Sequence, residues 1–408
     1  MEKSQKVTLF SIITLVGFAF GVIYHYVLGF YMHWQGTYES FLYPASWAFC
    51  DLFGVINGIK DLKPYQEVSM WSVYFPLNFV FMLPFAYIKN KLLAYFIYIS
   101  GFVAYLITMN TKMFSCKNLT KLENFQNIFI ITALSYPVLY CLDKGNFDMY
   151  LFVLLGFWTF AFQKEKYKLS AVLLALINAM KPFTVYFLLL YLMKKRYKEL
   201  ALSVVLTAVL IIGGFLIIPD NLFNEVSVFF KCLKLYKDVY THQAQIGMAY
   251  VSSLYMPLKA LFLHFTVSVK NVGIFNFIYD IFCQFITIAT LVFVWREKTF
   301  WKQLTLLICN FLLLPYCTYD YKFIFLYIPI WLFINQEEKT KFDFYYLILF
   351  ALLFIPKNIL VNFPYIHNGG ENWLSLSAIF NPIIMILLCL LIIQEQFNQG
   401  KSKRRIEN

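Results

Sequence analysis

Long apolar stretches, each close to the length needed to cross a lipid bilayer, recur from one end of this chain to the other. A hydrocarbon core of ~30 Å takes roughly 20 helical residues to cross. The composition agrees, because 61% of the 408 residues are hydrophobic and only 14% are charged, whereas soluble domains are about half apolar. The chain is therefore expected to be a polytopic membrane protein.

The apolar segments lie near residues 8–30, 69–88, 92–110, 125–142, 148–163, 169–193, 199–218, 274–295, 303–318, 323–336, 344–361 and 375–393. Lipid offers no partner for unpaired backbone groups, and these runs are too long for barrel strands, so all are expected to be helical. The pattern predicts an all-α polytopic membrane protein with about 12–13 transmembrane helices. We expect a single integral membrane domain over residues 1–408.

Lysine and arginine in the short connections indicate orientation, because cytoplasmic loops carry an excess of them. Four basic clusters are expected inside: Lys194-Lys195-Arg196; Arg296 with Lys298 and Lys302; Lys339 with Lys341; and the tail 394–408 with Lys401, Lys403, Arg404 and Arg405. Both termini are then cytoplasmic, and the first loop, 31–68, lies outside. The net charge of +12 is read as a topology signal, and no nucleic-acid partner is expected.

One basic run conflicts with a scheme in which every segment crosses once. Residues 164–168 would then fall outside, against the charge rule. An alternative removes the conflict: 169–193 is a hairpin of two half-length helices broken at Lys181-Pro182, and one segment between 69 and 110 enters without crossing. Pro182 cannot donate to a helix ladder, and Lys181 is costly in lipid unless it faces protein or water. We favour this second scheme.

The longest stretch without a clear span is the loop 219–273, which mixes charged and aromatic residues. We expect amphipathic helices here and in the first outer loop, lying on the outer membrane surface. This loop is either an interfacial collar or a surface that contacts anionic lipid head groups. Membrane lipids are thus expected partners in either case.

Cysteine and histidine show no ligand spacing. The eight cysteines lack paired spacing and lie mostly in apolar runs, which favours packing over disulfides or metal binding. The five histidines are scattered along the chain. No zinc site is expected.

Three short stretches are candidates for chemistry. The first joins Asp51, Pro64-Tyr65 and Tyr74-Phe75-Pro76; the second runs from Pro137 through Gly145-Asn146-Phe147-Asp148 and Lys181-Pro182 to Lys194-Lys195-Arg196-Tyr197; the third is Pro315-Tyr316-Cys317-Thr318-Tyr319-Asp320-Tyr321-Lys322. Over roughly residues 10–330 this order resembles the family 87 glycosyltransferases, which are polytopic enzymes of the GT-C fold. Their donor is a sugar on a polyprenyl-phosphate carrier outside the cytoplasmic membrane.

The resemblance implies a catalytic base in the first outer loop, and that position corresponds to Asp51. The family's tyrosine-proline-proline mouth corresponds to Tyr74-Phe75-Pro76, one proline short. Its later outer segment often carries histidine, whereas this chain has Tyr319-Asp320-Tyr321-Lys322, which leaves the role of that segment open. By analogy the sugar is a hexose such as mannose, and the acceptor is a lipid-linked or cell-surface glycan.

The residue types suit this chemistry. Glycosyl transfer needs a base for the acceptor hydroxyl and cations for the departing phosphate, so we assign Asp51 as base with inversion at the anomeric carbon. Lys181 and Lys322 are candidate ligands of the carrier phosphate. Tyr65, Tyr74, Asn146, Asp148 and Asp320 are candidate substrate-binding residues. A lipid phosphomonoester leaving group does not oblige a divalent metal, so no cofactor is expected.

Each candidate also has a structural interpretation. Asp51, Asn146 and Asp148 suit helix caps. Lys181 can snorkel or pair with a neighbouring carboxylate, and Asp320 and Lys322 can form a pair. Tyr65 and Tyr74 suit an interfacial belt. Two other functions stay open: a polysaccharide polymerase of the O-antigen type, and a flippase or transporter of lipid-linked sugars. The 219–273 loop holds none of the arginines typical of the former, and the helix interiors hold few of the polar residues expected of the latter.

Overall fold

The structure, a computed structural model, describes residues 1–33, 41–42, 47–59, 63–218, 221–242, 251–265, 272–362 and 373–407. Within these residues lie seventeen α-helices and one short hairpin: α1 Lys3–Tyr26, α2 Cys50–Gly58, α3 Pro76–Ala86, α4 Lys91–Phe114, α5 Lys121–Ala133, α6 Tyr136–Lys144, α7 Asp148–Gln163, α8 Tyr167–Met180, α9 Leu188–Met193, α10 Tyr197–Ile217, α11 Leu222–His242, α12 Tyr255–Phe265, α13 Val272–Arg296, α14 Phe300–Leu313, α15 Tyr327–Ile334, α16 Asp343–Leu353, β1 Leu360–Asn362, β2 Trp373–Ser375 and α17 Leu376–Glu407. The predicted all-α polytopic class is confirmed.

The chain forms two compact units. The first unit comprises residues 1–44, 107–140 and 241–408, and the second comprises 45–106 and 141–240. The expectation of one integral domain stays a prediction.

The first unit is built around α14. Every residue from Trp301 to Leu313 is buried, including the polar side chains of Lys302, Gln303 and Asn310. It packs against α13, α15 and α17, while α1 packs against α5 and α16. The strands β1 and β2 pair antiparallel, with Val361 opposite Leu374.

Buried charges in the first unit are paired. Lys6 Nζ lies 3.0 Å from the carboxylate of Asp343, and Lys302 Nζ lies 2.8 Å from that of Glu395. A charge inside an apolar helix bundle is costly unless it has such a partner. These pairs therefore allow lysines to lie within helices α1 and α14.

In the second unit, α8 packs against α7 and α10, and α3 packs against α2, α8 and α10. Helix α3 thus connects the short helix α2 to helices α8 and α10. This packing brings the start of α2 to the chain segments that flank α7 and α8, where the polar candidates lie.

Five helices of the described residues are long and apolar enough to span a membrane, or six if the bent pair α5 and α6 counts as one span. The other predicted segments hold shorter apolar helices, among them α3, α7, α8, α14 and α16. Helix α3, for example, has 11 residues, about 16 Å at 1.5 Å per residue. This length is less than the hydrocarbon core of ~30 Å, and the entry of one segment between 69 and 110 without crossing stays a prediction.

The predicted break at Lys181-Pro182 is confirmed. Helix α8 ends at Met180, Lys181 is extended with φ −149° and ψ 116°, and a 3₁₀ segment begins at Pro182. The proline has no N–H to continue the ladder, and the residue before a proline is disfavoured in the helical region.

The loops 31–68 and 219–273 contain helices, as expected, and their location on the outer membrane surface stays a prediction. Helix α2 lies in the 31–68 loop, and α11 and α12 lie in the 219–273 loop. The basic side chains of the 394–408 tail, Lys401 to Arg405, lie outside the residues whose side chains are described.

Candidate active site

Asp51 lies in the first turn of α2. The helix is preceded by Phe49 in the left-handed region, φ 58° and ψ 20°, a rare conformation for a non-glycine residue. The backbone N–H of Phe49 donates to the carbonyl of Asp143 at 2.6 Å, which anchors this turn. Phe49 is the N-cap and has no side-chain capping bond, so Asp51 does not serve as the cap.

The carboxylate of Asp51 has two side-chain partners. Asn146 Nδ2 donates to Oδ2 at 2.5 Å, and the thiol of Cys50 donates to Oδ1 at 3.4 Å. Burial raises the pKa of Asp51 above its ordinary value, while the Asn146 hydrogen bond and the charge of Lys144 oppose that rise. A carboxylate with a raised pKa is a stronger base than an exposed aspartate.

Cys50 and Lys144 extend this network. Burial, followed by the neighbouring Asp51 charge, raises the pKa of the Cys50 thiol to about 11, so the thiol is protonated at neutral pH and acts as a donor. Lys144 Nζ in turn lies 3.3 Å from Cys50 Sγ, and Lys144 is 3% exposed. The buried Lys144 is therefore linked to Asp51 through the Cys50 thiol.

Asn146 joins two parts of the site. Its Nδ2 contacts Asp51, and its Oδ1 accepts the backbone N–H of Asp148 at 2.9 Å. The preceding Gly145 has φ +62°, and a Cβ there would lie 3.0 Å from Leu52 Cβ. Glycine thus allows the turn between α6 and α7 to approach α2 closely, which delivers Asn146 to Asp51.

Asp148 and Lys181 form an ion pair. Lys181 Nζ lies 2.7 Å from Asp148 Oδ1, with side-chain exposures of 22% and 0%. Lys181 also lies 5.2 Å from the ring centroid of Tyr74, within cation–π range. The other oxygen, Asp148 Oδ2, is buried and has no hydrogen-bond partner among the described residues. The lysine therefore keeps an accessible edge, and the carboxylate keeps one unused acceptor.

A small cavity of about 10 Å³ adjoins Asp51 and is lined by Asp51, Val55, Tyr74, Asn78, Met82 and Phe147. This volume corresponds to about one water molecule. A hydroxyl group fits it, whereas a sugar ring does not. Any sugar at Asp51 must therefore lie outside the cavity.

Tyr65 supports the site from within the protein core. It is 1% exposed, and its ring packs against Phe79, Phe215 and Phe229. Its hydroxyl donates to the backbone carbonyl of Tyr74 at 2.6 Å. The geometry points to a role in placing Tyr74, and direct substrate binding by Tyr65 stays a prediction.

Asp320 and Lys322 belong to the first unit. Asp320 is 1% exposed, and Asn381 Nδ2 donates to its Oδ1 at 3.2 Å. Burial raises the pKa of Asp320 to about 6, opposed by hydrogen bonds from Ser252 and Asn381. Lys322 is partly exposed. Their predicted roles in substrate and phosphate binding stay predictions.

Within the second unit the structure thus groups five of the predicted residues: Asp51, Tyr74, Asn146, Asp148 and Lys181. Cys50, Asn78 and Lys144 were missed from sequence. Cys50 was grouped with cysteines that favour packing, and Asn78 and Lys144 were not singled out. The adjacency of Cys50 to Asp51 was the one available signal.

The fold and the site define a polytopic α-helical membrane protein with a carboxylate, amide and lysine cluster beside short, broken helices. The model of glycosyltransferase family 87 matches residues 72–315, more than half of the chain. The chain belongs to this family and is a membrane glycosyltransferase. Searches of curated proteins and of solved structures found no match.

The matched region contains Tyr74, Asn78, Asn146, Asp148 and Lys181. Asp51, Tyr65, Asp320 and Lys322 lie outside it. The roles of those four are therefore argued from chemistry and geometry alone.

Proposed function

We propose that this glycosyltransferase moves a hexose, such as mannose, from a polyprenyl-phosphate carrier to a lipid-linked or cell-surface glycan, on the outer face of the cell membrane. Asp51 is the general base. The observation that carries this proposal is the Asp51 carboxylate, held by Asn146 at 2.5 Å. Burial raises its pKa, as suits a base that takes a proton from a hydroxyl.

In this reaction the acceptor oxygen forms a bond to the anomeric carbon as the bond from that carbon to the phosphate oxygen breaks. The acceptor proton passes to Asp51, and the carrier departs as a lipid phosphomonoester. Attack opposite the leaving group inverts the anomeric carbon.

Lys181 stabilises the departing phosphate in this proposal. Its pairing with Asp148 at 2.7 Å holds the ammonium in place, and its 22% exposure leaves donors available to a phosphate oxygen. Asp148, Asn146, Tyr74 and Tyr65 bind or position the substrates. Lys322 and Asp320 lie in the first unit, and their roles as phosphate and substrate ligands stay predictions from the sequence. A divalent metal is not required, because lysine supplies the positive charge.

The test is transfer of labelled sugar from a panel of polyprenyl-phosphate donors by purified protein in lipid, with and without a chelator. Asp51→Asn is expected to lower kcat by at least about 100-fold while donor binding is retained. Asn90→Ala is the matched control, since Asn90 is an exposed residue whose side chain accepts the N–H of Leu93. It should leave transfer unchanged.

Equal activity of Asp51→Asn and wild type would contradict the assignment of the base. Transfer that stops in the chelator would contradict the metal-free proposal. No transfer from any donor would favour the polymerase or flippase alternatives, which sugar-chain elongation and lipid-scrambling assays then separate.

A further inference from the structure

Asn78 is a buried amide in the second unit that the proposed chemistry does not use. Its Nδ2 donates to the carbonyl of Phe75 at 3.1 Å and to the carbonyl of Met180 at 2.6 Å. Both partners are carbonyl oxygens, which only accept hydrogen bonds, so the nitrogen must face them. The orientation of Oδ1, away from both, follows from this network.

Asn78 Oδ1 has no hydrogen-bond partner among the described residues, and Asn78 is 2% exposed. Leaving a buried acceptor unpaired is unfavourable, so such atoms need an explanation. Asn78 lines the one-hydroxyl cavity that Asp51 and Tyr74 also line. Asn78 and the candidate base therefore line the same cavity.

We propose that Asn78 Oδ1 accepts a hydrogen bond from an acceptor hydroxyl adjacent to the one that reacts at Asp51. The inference rests on the proposed function. A hydroxyl has one proton, and the reacting hydroxyl gives its proton to Asp51, so Asn78 requires a second hydroxyl. The reacting hydroxyl meets the half-buried Asp51, and its neighbour occupies the cavity of about 10 Å³.

This arrangement selects a substrate class. Two hydroxyls on neighbouring carbons are a property of sugars and other polyols. A simple alcohol or a serine side chain has only one hydroxyl to offer. Asn78 thus acts as a specificity residue for a carbohydrate acceptor.

The experiment measures kcat/KM with a polyprenyl-phosphate mannose donor and acceptor probes: octyl mannoside, octyl glucoside, octyl galactoside, the monodeoxy forms of each, and 1-octanol. For wild type, removal of the hydroxyl next to the new linkage is expected to lower kcat/KM by about 10- to 100-fold. In Asn78→Ala the same removal should change kcat/KM less than threefold. Asn90→Ala should keep the full wild-type ratio.

The ratio separates recognition from structural damage, since a variant that merely weakens the fold lowers transfer to both acceptors alike. An unchanged ratio in Asn78→Ala overturns the proposal. The proposal is also overturned if the wild-type protein uses the deoxy forms or 1-octanol as efficiently as the parent sugar. The cavity then holds only water. This comparison needs no variant. If wild type gives no product with any donor and acceptor, the proposed function itself fails and this inference with it.

Discussion

The side-chain amide of Asn146 donates to the carboxylate of Asp51 at 2.5 Å, while its carbonyl accepts the N–H of Asp148 at 2.9 Å. One residue thereby holds the candidate base and the first turn of α7 together. The bond stabilises the ionised form of Asp51, so it lowers the pKa that burial raises. Orientation and basicity of Asp51 thus both depend on Asn146.

Asn146→Ala is expected to change both the rate of transfer and its pH dependence. A misplaced base lowers kcat by about 10- to 100-fold. Because Asp51 must be ionised to act, activity falls as pH drops through its pKa, and loss of the Asn146 bond raises that pKa further. The acidic limb of the kcat/KM profile should therefore move to higher pH in Asn146→Ala. A limb that stays in place would contradict this role, and Asn90→Ala should behave as wild type.

Lys181→Met is expected to destabilise the protein, because it leaves the Asp148 carboxylate fully buried without a cation. Breaking such a pair costs about 3–5 kcal/mol. Lys181→Met with Asp148→Asn should recover much of the thermal midpoint in detergent but not donor binding. The exposed pair Lys339 and Glu2 gives the control: Lys339→Met should leave the midpoint nearly unchanged. A double variant no more stable than Lys181→Met would show that the pair is not the cause.

Gly145→Ala is expected to lower stability and activity together. At φ +62° a Cβ is strained by about 1–2 kcal/mol, and it would lie 3.0 Å from Leu52 Cβ, so the turn that carries Asn146 must shift. Gly213→Ala is the matched control, because a Cβ there has no atom of the described residues within 4 Å and the helix gains propensity. Thermal unfolding and transfer assays measure both effects. Wild-type behaviour of Gly145→Ala would show that the close approach is dispensable.

Asp320→Asn is expected to raise the thermal midpoint of the protein at pH 7. In the folded protein the pKa of Asp320 is raised to about 6 from a reference of 3.8. Protonation of Asp320 therefore stabilises the folded state relative to the unfolded state. That stability is full below the unfolded pKa and is lost as pH rises through the folded pKa. The gain from Asn, which resembles the protonated acid, should therefore disappear below pH about 4. A variant less stable than wild type at pH 7 would contradict the effect of burial.

Much of the helical framework was predictable from sequence. Apolar run length predicts helices wherever the backbone must satisfy itself in lipid, and Pro182 predicts the break after Lys181 because of its missing N–H. Asp51 stood out as a carboxylate in the first loop, Asn146 and Asp148 as polar residues at the start of an apolar run, and Lys181 as a charge beside Pro182 within one. The number of full-length crossings was less accessible, since several apolar runs fold as helices of fewer than 18 residues.

The pairings at the site were not predictable in the same way. The sequence suggested that Lys181 binds phosphate or pairs with a carboxylate, but it did not identify Asp148 as the partner. Tyr65 suited an interfacial belt, yet its ring lies among three phenylalanines that come from α3, α10 and α11. Asn78 had no distinguishing pattern, because its partner Met180 is far away in the chain.

Sequence by itself determined that this chain is a helical membrane protein, where one helix breaks, and which polar residues are exceptional, because these depend on local composition and backbone chemistry. Tertiary structure alone decided that Asn146 reaches Asp51, that Asp148 is the partner of Lys181, and that Asn78 lines the same cavity as the base. These relations depend on the packing of α2, α3, α7 and α8. Such packing brings together residues up to about a hundred positions apart, and no local pattern encodes their distances.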